Sequence, residues 1–337
     1  MAASSGDAAN LKNVGAVVIG RNEGERLQRC LRSLHGKVAS IVYVDSGSTD
    51  GSSAFARGLG VTVVDLDATK PFTAARARNA GFQRLATEPA DVELVQFVDG
   101  DCEVVDGWLH SAAQRLRDAP GLAAVCGRRR ERFPERSVYN RLCDIEWDTP
   151  VGDARACGGD AMIRVRAFRD VGGYADDLIA GEEPELCVRL RGAGWKIERM
   201  DHEMTLHDAA MTTFEQWWRR ATRSGYAYAE GASRLGRPPE RHFVRETRRA
   251  LLWGGIVPVL AIGGAVPSLG ASTLLLLGYP VSGARAYSSI RRRGRGAGEA
   301  ALYAVFCTLG KLPELQGVVR YHRNRVLRRR SQLIEYK

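Results

Sequence analysis

The sequence predicts an α/β domain, a mostly parallel sheet flanked by helices, followed by a C-terminal apolar helical segment that associates with a membrane. Three observations predict it. Short apolar runs alternate with helical patterns up to residue 245. Acidic and glycine-rich motifs follow the ends of those runs. Beyond them, Ala250 to Ala284 form 35 residues without one charged side chain. Strands that alternate with helices make a mostly parallel sheet covered on both faces, and such sheets bind ligands beyond the carboxyl ends of their strands.

Taken in order, residues 1–12 (MAASSGDAANLK) are small and polar, with no apolar run behind a basic start. They read as a flexible N-terminus and not as a secretory signal. Apolar runs then predict strands at Val14–Ile19, Ile41–Val44, Val61–Val64 and Leu94–Val98. Between the first two, Leu27, Leu31 and Leu34 lie at spacings of four and three, the apolar face of a helix. Pro184 suits the first turn of a later helix, which Leu186 and Leu190 bury until Gly192. At 337 residues and 45% hydrophobic composition, the chain has room for one large domain, residues 13–245, and an appendage, residues 246–337. The seven cysteines are scattered without a C-x-x-C pair, which suits a reducing cytoplasm better than a disulfide framework.

The net charge of +10 is placed unevenly: residues 285–337 carry 13 Lys or Arg against 3 Glu. A basic excess confined to one end points to an anionic surface nearby. No nucleic-acid recognition motif accompanies it, and the uncharged segment just before it favours a membrane. That segment exceeds the roughly 20 residues of one bilayer span and falls short of two. Pro258, Pro267 and Pro280 argue against one unbroken helix. Arg245, Arg248 and Arg249 precede it and Arg285 and Arg291–Arg293 follow it, which puts both ends on the cytoplasmic side. A tight helical hairpin or re-entrant segment satisfies these observations, a single tilted span is second, and a buried helix pair third. A shorter apolar stretch, Ala300 to Gly310, cannot span and either lies in the interface or packs on the protein.

The chemistry lies at the strand ends. The first strand runs into Gly20-Arg21-Asn22-Glu23-Gly24, and the second into Asp45-Ser46-Gly47-Ser48-Thr49-Asp50-Gly51. Asp45 directly follows the apolar run, where its carboxylate is available to a base or ribose, whereas Asp50 reads as a helix cap. The fourth strand ends in Asp99-Gly100-Asp101. Two carboxylates one residue apart repel unless a cation lies between them, and hard oxygen ligands favour Mg²⁺ or Mn²⁺.

Together the pieces V-V-I-G-R-N-E-G, I-V-Y-V-D-S-G-S-T-D, A-R-N-A-G, F-V-D-G-D and G-E-E-P-E-L resemble the family 2 glycosyltransferases over residues 13–230. The resemblance implies a GT-A, Rossmann-like fold. It implies nucleotide contact by Asp45 and Arg78, with Asn22 and Glu23 of the first loop and Asp99 beside them. Ser46 departs from the family's usual second aspartate. The resemblance also implies a metal held by Asp99 and Asp101, completed in some GT-A enzymes by a histidine in the region of His207. Glu183 takes the position of the base that activates an acceptor hydroxyl, with glutamate in place of the commoner aspartate, and Glu182 competes for the role. A helix N-terminus favours the ionised form of both. Gly158-Gly159-Asp160 resembles the segment lining the acceptor side. Gln216-Trp217-Trp218-Arg219-Arg220 resembles, in altered order, an element of polymerising synthases, and reads equally as an aromatic core face.

The expectation is an inverting transferase at the inner membrane, its catalytic domain facing the cytoplasm. Its partners are a nucleotide-diphosphate sugar donor, a glycan or lipid-linked acceptor and membrane lipids, with no nucleic acid. A nucleotidyltransferase is the alternative, although R-N-E-G stands where those enzymes carry a glycine-rich basic phosphate loop. A membrane-docked binder with a degenerate site is the non-enzymatic alternative.

Overall fold

The computed structural model describes residues 11–88 and 91–328. Most of the N-terminus expected to be flexible, residues 1–10, and the end of the basic tail from residue 329 lie outside the described residues. The elements run β1 (Val14–Gly20), α1 (Glu25–Leu34), β2 (Ser40–Asp45), α2 (Ser52–Gly58), β3 (Thr62–Asp65), α3 (Ala74–Leu85), β4 (Leu94–Asp99), β5 (Cys102–Val104), α4 (Trp108–Asp118) and β6 (Leu122–Glu131). They continue with α5 (Val138–Glu146), β7 (Gly152–Asp153), β8 (Ala161–Arg164), α6 (Val165–Asp170), α7 (Glu182–Gly192) and β9 (Lys196–His207). The last part is helical: α8 (Phe214–Leu235), α9 (Val244–Leu251), α10 (Val257–Gly263), α11 (Gly278–Arg292), α12 (Ala297–Leu309) and α13 (Lys311–Val326).

The chain divides into two units, Met1–Arg132 with Trp147–Ala209, and Phe133–Glu146 with Ala210–Lys337. The division falls before residue 245, and α5 belongs to the second unit. There Ile145 on α5 is buried with Ile290 and Ala300, a long-range pairing that no local pattern announces.

The first unit is a nine-stranded sheet in the order β3-β2-β1-β4-β8-β6-β9-β5, with β7 beside β9. The expectation of a mostly parallel sheet holds for β3-β2-β1-β4, all parallel. It needs correction beyond β4, where β8 runs antiparallel to β4 and β6, β9 is parallel to β6, and β5 is antiparallel to β9. The sheet is therefore mixed. The expected strands are mainly apolar because helices cover the sheet: Val17, Val42, Val95 and Phe97 are completely buried, as are Leu27, Leu31 and Leu34 of α1.

In the second unit, Thr213 opens α8 with a reciprocal capping box to Gln216. Trp217 is buried, its ring edge-on to Phe306 at 4.9 Å, so this aromatic run is in part a core face. The Trp218 indole donates to Gln316 at 2.8 Å. The uncharged stretch does not form one long helix. A π-turn (Leu252–Ile256) leads into α10, and a 3₁₀ segment (Ala271–Leu277) leads into α11. Among the described residues no helix is long and apolar enough to cross a membrane, which removes the single tilted span. The stretch Ala300–Gly310 is the body of α12, where Ala300 and Ala304 are buried and Val305 is exposed.

Candidate active site

β1, β2 and β4 end side by side, Gly20 in register with Asp45 and Ile19 with Asp99. The loops that follow are tied together. Asn22 Oδ1 accepts from the Thr49 amide at 2.8 Å, and Ser48 Oγ accepts from the Asn22 amide at 2.9 Å. Asp50 accepts from the Gly24 amide at 2.8 Å and from the Ser52 amide at 3.0 Å, the second at the start of α2. Glu23 pairs with Arg26 at 2.8 Å. Asp45, expected on the nucleotide, is buried and shapes its own turn. It accepts from the Tyr43 hydroxyl at 2.7 Å and from the amides of Gly47 and Ser48 at 3.0 and 2.8 Å.

The A-R-N-A-G motif lies on α3, and its arginine, asparagine and glycine have separate tasks. A Cβ on Gly81 would stand 2.4 Å from Val17 Cγ1 and 2.9 Å from Val44 Cγ2, so glycine lets α3 lie close on β1 and β2. Asn79 exchanges hydrogen bonds with the Tyr174 backbone, donating at 2.8 Å and accepting at 2.9 Å, and so pins the loop over Arg78. The Tyr174 ring lies 5.5 Å from the Arg78 guanidinium.

Arg78 is buried at the centre of an acidic cluster drawn from three parts of the chain. Its Nη2 donates to Asp99 Oδ1 at 2.7 Å. Its Nη1 donates to Glu182 Oε1 at 2.9 Å and lies 3.3 Å from Glu183 Oε1. Glu182 and Glu183 are the first residues of α7. Asp160 is fully buried and completes the support: it accepts from the Asp99 amide at 3.0 Å and the Thr205 hydroxyl at 2.7 Å, and pairs with Arg129 at 2.9 Å. Arg129 also lies 3.6 Å from Asp99. Between these groups a Cβ on Gly159 would meet Arg78 Nη2 at 2.6 Å, Asp99 Oδ2 at 2.8 Å and Glu183 Oε1 at 3.1 Å. Glycine is what leaves room for the cluster.

Burial alone would raise the Asp99 carboxyl, but Arg78 and Arg129 together hold it well below the usual carboxylate range. Glu183 moves the other way. Burial, with the adjacent Glu182 charge, pushes it up to about 7 against the pull of Arg78. The expectation that the helix N-terminus favours the ionised form of Glu183 therefore needs correction, because desolvation outweighs the dipole.

A second cluster lies where β5, β9 and β6 adjoin. His207 is in register with Cys102 on one side and Glu131 on the other. His207 Nε2 is 3.3 Å from Asp101 Oδ2, and its Nδ1 is 3.6 Å from Glu131 Oε2. The Trp147 ring abuts the imidazole edge-on, centroids 4.6 Å apart. Asp101, Cys102 and His207 offer ligand atoms within 4.8 Å of one another, as do Asp99, Cys102 and Asp160. In the first set the Asp101 oxygen and the His207 imidazole are donors suited to a divalent ion, with the Cys102 thiol, which lies 3.6 Å from Asp101 Oδ1, beside them. In the second set Asp99 and Asp160 already carry arginine partners.

The structure therefore brings Arg78, Asp99, Glu182 and Glu183 into one cluster and Asp101 and His207 into another two residues along the same strand end, while Asn22, Glu23 and Asp45 organise neighbouring loops. Arg129, Glu131 and Tyr174 were not among the expected site residues, and Asp160, expected in the segment lining the acceptor side, supports Asp99 and Arg129. The one signal for Arg129 was the basic run Arg128–Arg130 ending an apolar stretch.

Residues 16–171 match the family described as Glycosyl transferase family 2. A "Pre-mycofactocin glycosyltransferase" of Mycobacterium tuberculosis is 26% identical over 211 residues, 58% of this chain and 43% of that protein. The chain thus matches less than half the length of that relative. The "Succinoglycan biosynthesis protein ExoA" of Rhizobium meliloti is 23% identical over 277 residues, 77% of this chain and 82% of that one. Among solved structures, a mannosyltransferase of Pyrobaculum calidifontis, in complex with GDP-Man and Mn²⁺, superposes with a TM-score of 0.58 at 20% identity. It covers 92% of this chain and 87% of its own, a likeness of fold.

Proposed function

We propose, from the premise that the chain carries a family 2 glycosyltransferase domain, that it moves a sugar from a nucleotide-diphosphate donor to an acceptor hydroxyl with inversion. The observation that carries this reading is the meeting of Asp99 and Glu183 on one buried arginine, Arg78, although 84 residues of sequence separate the carboxylates.

In this reading Glu183 takes the proton from the acceptor hydroxyl. The acceptor oxygen bonds to the anomeric carbon, the bond from that carbon to the diphosphate oxygen breaks, and the electron pair leaves with the diphosphate. One displacement inverts the anomeric centre. A carboxylate pushed up to about 7 is matched to this task, since a base works best near the ambient pH. Glu182, bonded to Arg78, holds the guanidinium in place and is the weaker candidate for base. Arg78 and Arg129 supply fixed positive charge toward the leaving group. Asp101 and His207, with Asp99 beside them, would hold Mg²⁺ or Mn²⁺, and the ion would neutralise charge on the leaving diphosphate. Imidazole ligation favours Mn²⁺, and the Mn²⁺ and GDP-Man in the structural neighbour support both a metal and a nucleotide-sugar donor.

The acceptor is read as a lipid-linked or envelope glycan, which the name of the succinoglycan relative supports. The reading also places the chain at the cytoplasmic face of the inner membrane, supported by the uncharged stretch and its arginine flanks. Glu183→Gln tests the central role. Transfer falls by more than about a hundredfold, as loss of a general base requires, while calorimetry shows donor binding retained. Normal turnover by that variant would remove Glu183 from the mechanism.

A further inference from the structure

The stretch Ala250–Ala284 carries a physical feature that the sequence alone does not reveal: it is folded, yet its apolar side chains point away from the protein. Val259, Leu260, Ile262, Val266, Leu269, Leu274, Leu275 and Leu277 are all exposed, and the outermost, Leu269 and Val266, are 97% and 87% exposed. A row of this size in water is costly and marks a surface that something apolar covers.

The polar groups of the same stretch are turned inward. At its apex the Ser268 hydroxyl donates to Gly264 O at 2.6 Å, Ser272 to Ala261 O at 2.8 Å and Thr273 to Gly270 O at 2.7 Å. The backbone amides of Gly264, Ala265, Ser268, Leu269, Gly270, Ala271 and Thr273 all donate to carbonyls of the same turn, and the Ser272 amide donates to Ser268 Oγ. A surface loop in water can leave such groups to the solvent. Hydrocarbon demands that they be satisfied internally. Toward the base, the Trp253 ring lies over Gly278, 5.5 Å from Tyr279, whose hydroxyl donates to Trp253 O and ties the two arms together. Exposed arginines flank both arms, Arg245, Arg248 and Arg249 before the first and Arg285, Arg291 and Arg292 on the second.

We infer that residues 250–284 form a monotopic wedge that enters one leaflet of an anionic bilayer, apex first, and returns to the same side. The inference deepens the membrane reading above and rests on it. Length decides between wedge and span. The 12 residues of the π-turn and α10 reach about 18 Å, against a hydrocarbon core of about 30 Å. Val266 and Leu269 then sit deepest, Trp253 and Tyr279 nearer the headgroups, and the arginines against anionic phosphates. A protein partner or a second copy would satisfy the apolar row, but gives no account of a self-bonded apex on a base flanked by cations.

The test uses the full chain and vesicles of phosphatidylglycerol and phosphatidylcholine. The chain sediments with them even in high salt, which screens the arginines but not the apolar contact, and binds phosphatidylcholine alone more weakly. The double variant Val266→Asp/Leu269→Asp changes only exposed positions, so its circular dichroism and melting stay those of the parent. Its vesicle affinity falls by more than about tenfold. Equal sedimentation of parent and variant would overturn the wedge. So would conversion of a lipid-free dimer to a monomer by the variant, which would assign the row to a second copy. Leu269→Cys, read against the parent chain's own cysteines, resists an impermeant maleimide added outside and one sealed inside the vesicles. Labelling from the lumen would mean that the apex crosses the bilayer. Donor-dependent nucleotide release by the double variant reports separately, so the transferase reading can survive failure of the wedge.

Discussion

Glu131 shows how much a single buried side chain can contribute without touching substrate. Its carboxylate faces His207 Nδ1 at 3.6 Å, while His207 Nε2 turns toward Asp101 at 3.3 Å. At 3.6 Å the Glu131 carboxylate does not hydrogen-bond the ring and accepts instead from the Ala209 amide at 3.1 Å. Closing on Nδ1 when a metal takes Nε2 would fix which ring nitrogen is presented, and loss of such a partner costs about 10- to 100-fold in metal affinity. Glu131→Gln should therefore weaken Mn²⁺ binding by about that factor, measured by titration without donor or acceptor. Asp at 131 should recover part of it. Unchanged affinity in Glu131→Gln would leave Glu131 a purely structural residue. Among the residues expected from sequence, Arg78 and Glu183 were legible because their motifs are local. Asp45 was legible as a strand-end carboxylate, but its bonds to Tyr43, Gly47 and Ser48 depend on a turn geometry that the letters do not state.

At the scale of elements, α7 sets the pH behaviour. It begins with two adjacent glutamates in a buried setting, and burial pushes Glu183 up to about 7 from the ordinary glutamate value. A base is inactive when protonated, so transfer at subsaturating substrate should rise with pH through about 7 and level off above it. Stability moves oppositely. Between the ordinary value and 7 the folded chain binds more protons than the unfolded chain, so this group's contribution is full at low pH and is lost as pH rises. Glu183→Gln should accordingly raise the melting temperature at pH 8 relative to the parent, and much less at pH 5. A flat pH–rate profile, or equal gains at both pH values, would contradict the buried-base description. The elements themselves divide by visibility. The parallel strands β1 to β4 were legible as apolar runs because both faces are covered. β6 and β9 were not, because their pairing is broken by bulges and both carry charged residues such as Arg128, Arg130 and Glu203. His207 could be named from sequence, but its neighbours Cys102 and Glu131 come from strands set beside it only by the fold.

For the whole molecule, sequence reading drew one boundary and the structure drew a discontinuous pair of units, because α5 buries Ile145 with residues about 150 positions later. The expected site residues from Asn22 to His207 all fall in the first unit, and the uncharged hairpin falls in the second. The proposed catalysis and the proposed membrane docking should therefore be separable by mutation. The basic excess was legible by counting, whereas the outward orientation of the hairpin was not, since an uncharged run reads the same buried or exposed.

The central claim is that the strand-end carboxylates and His207 form one divalent-ion site serving a nucleotide diphosphate. Electron paramagnetic resonance of Mn²⁺ tests it most directly. With nucleoside diphosphate present, the full chain should bind one Mn²⁺ whose spectrum carries nitrogen coupling from an imidazole, absent in His207→Gln, with binding weakened in Asp101→Asn. A Mn²⁺ signal unchanged in both variants, or no bound ion at all, would contradict the account.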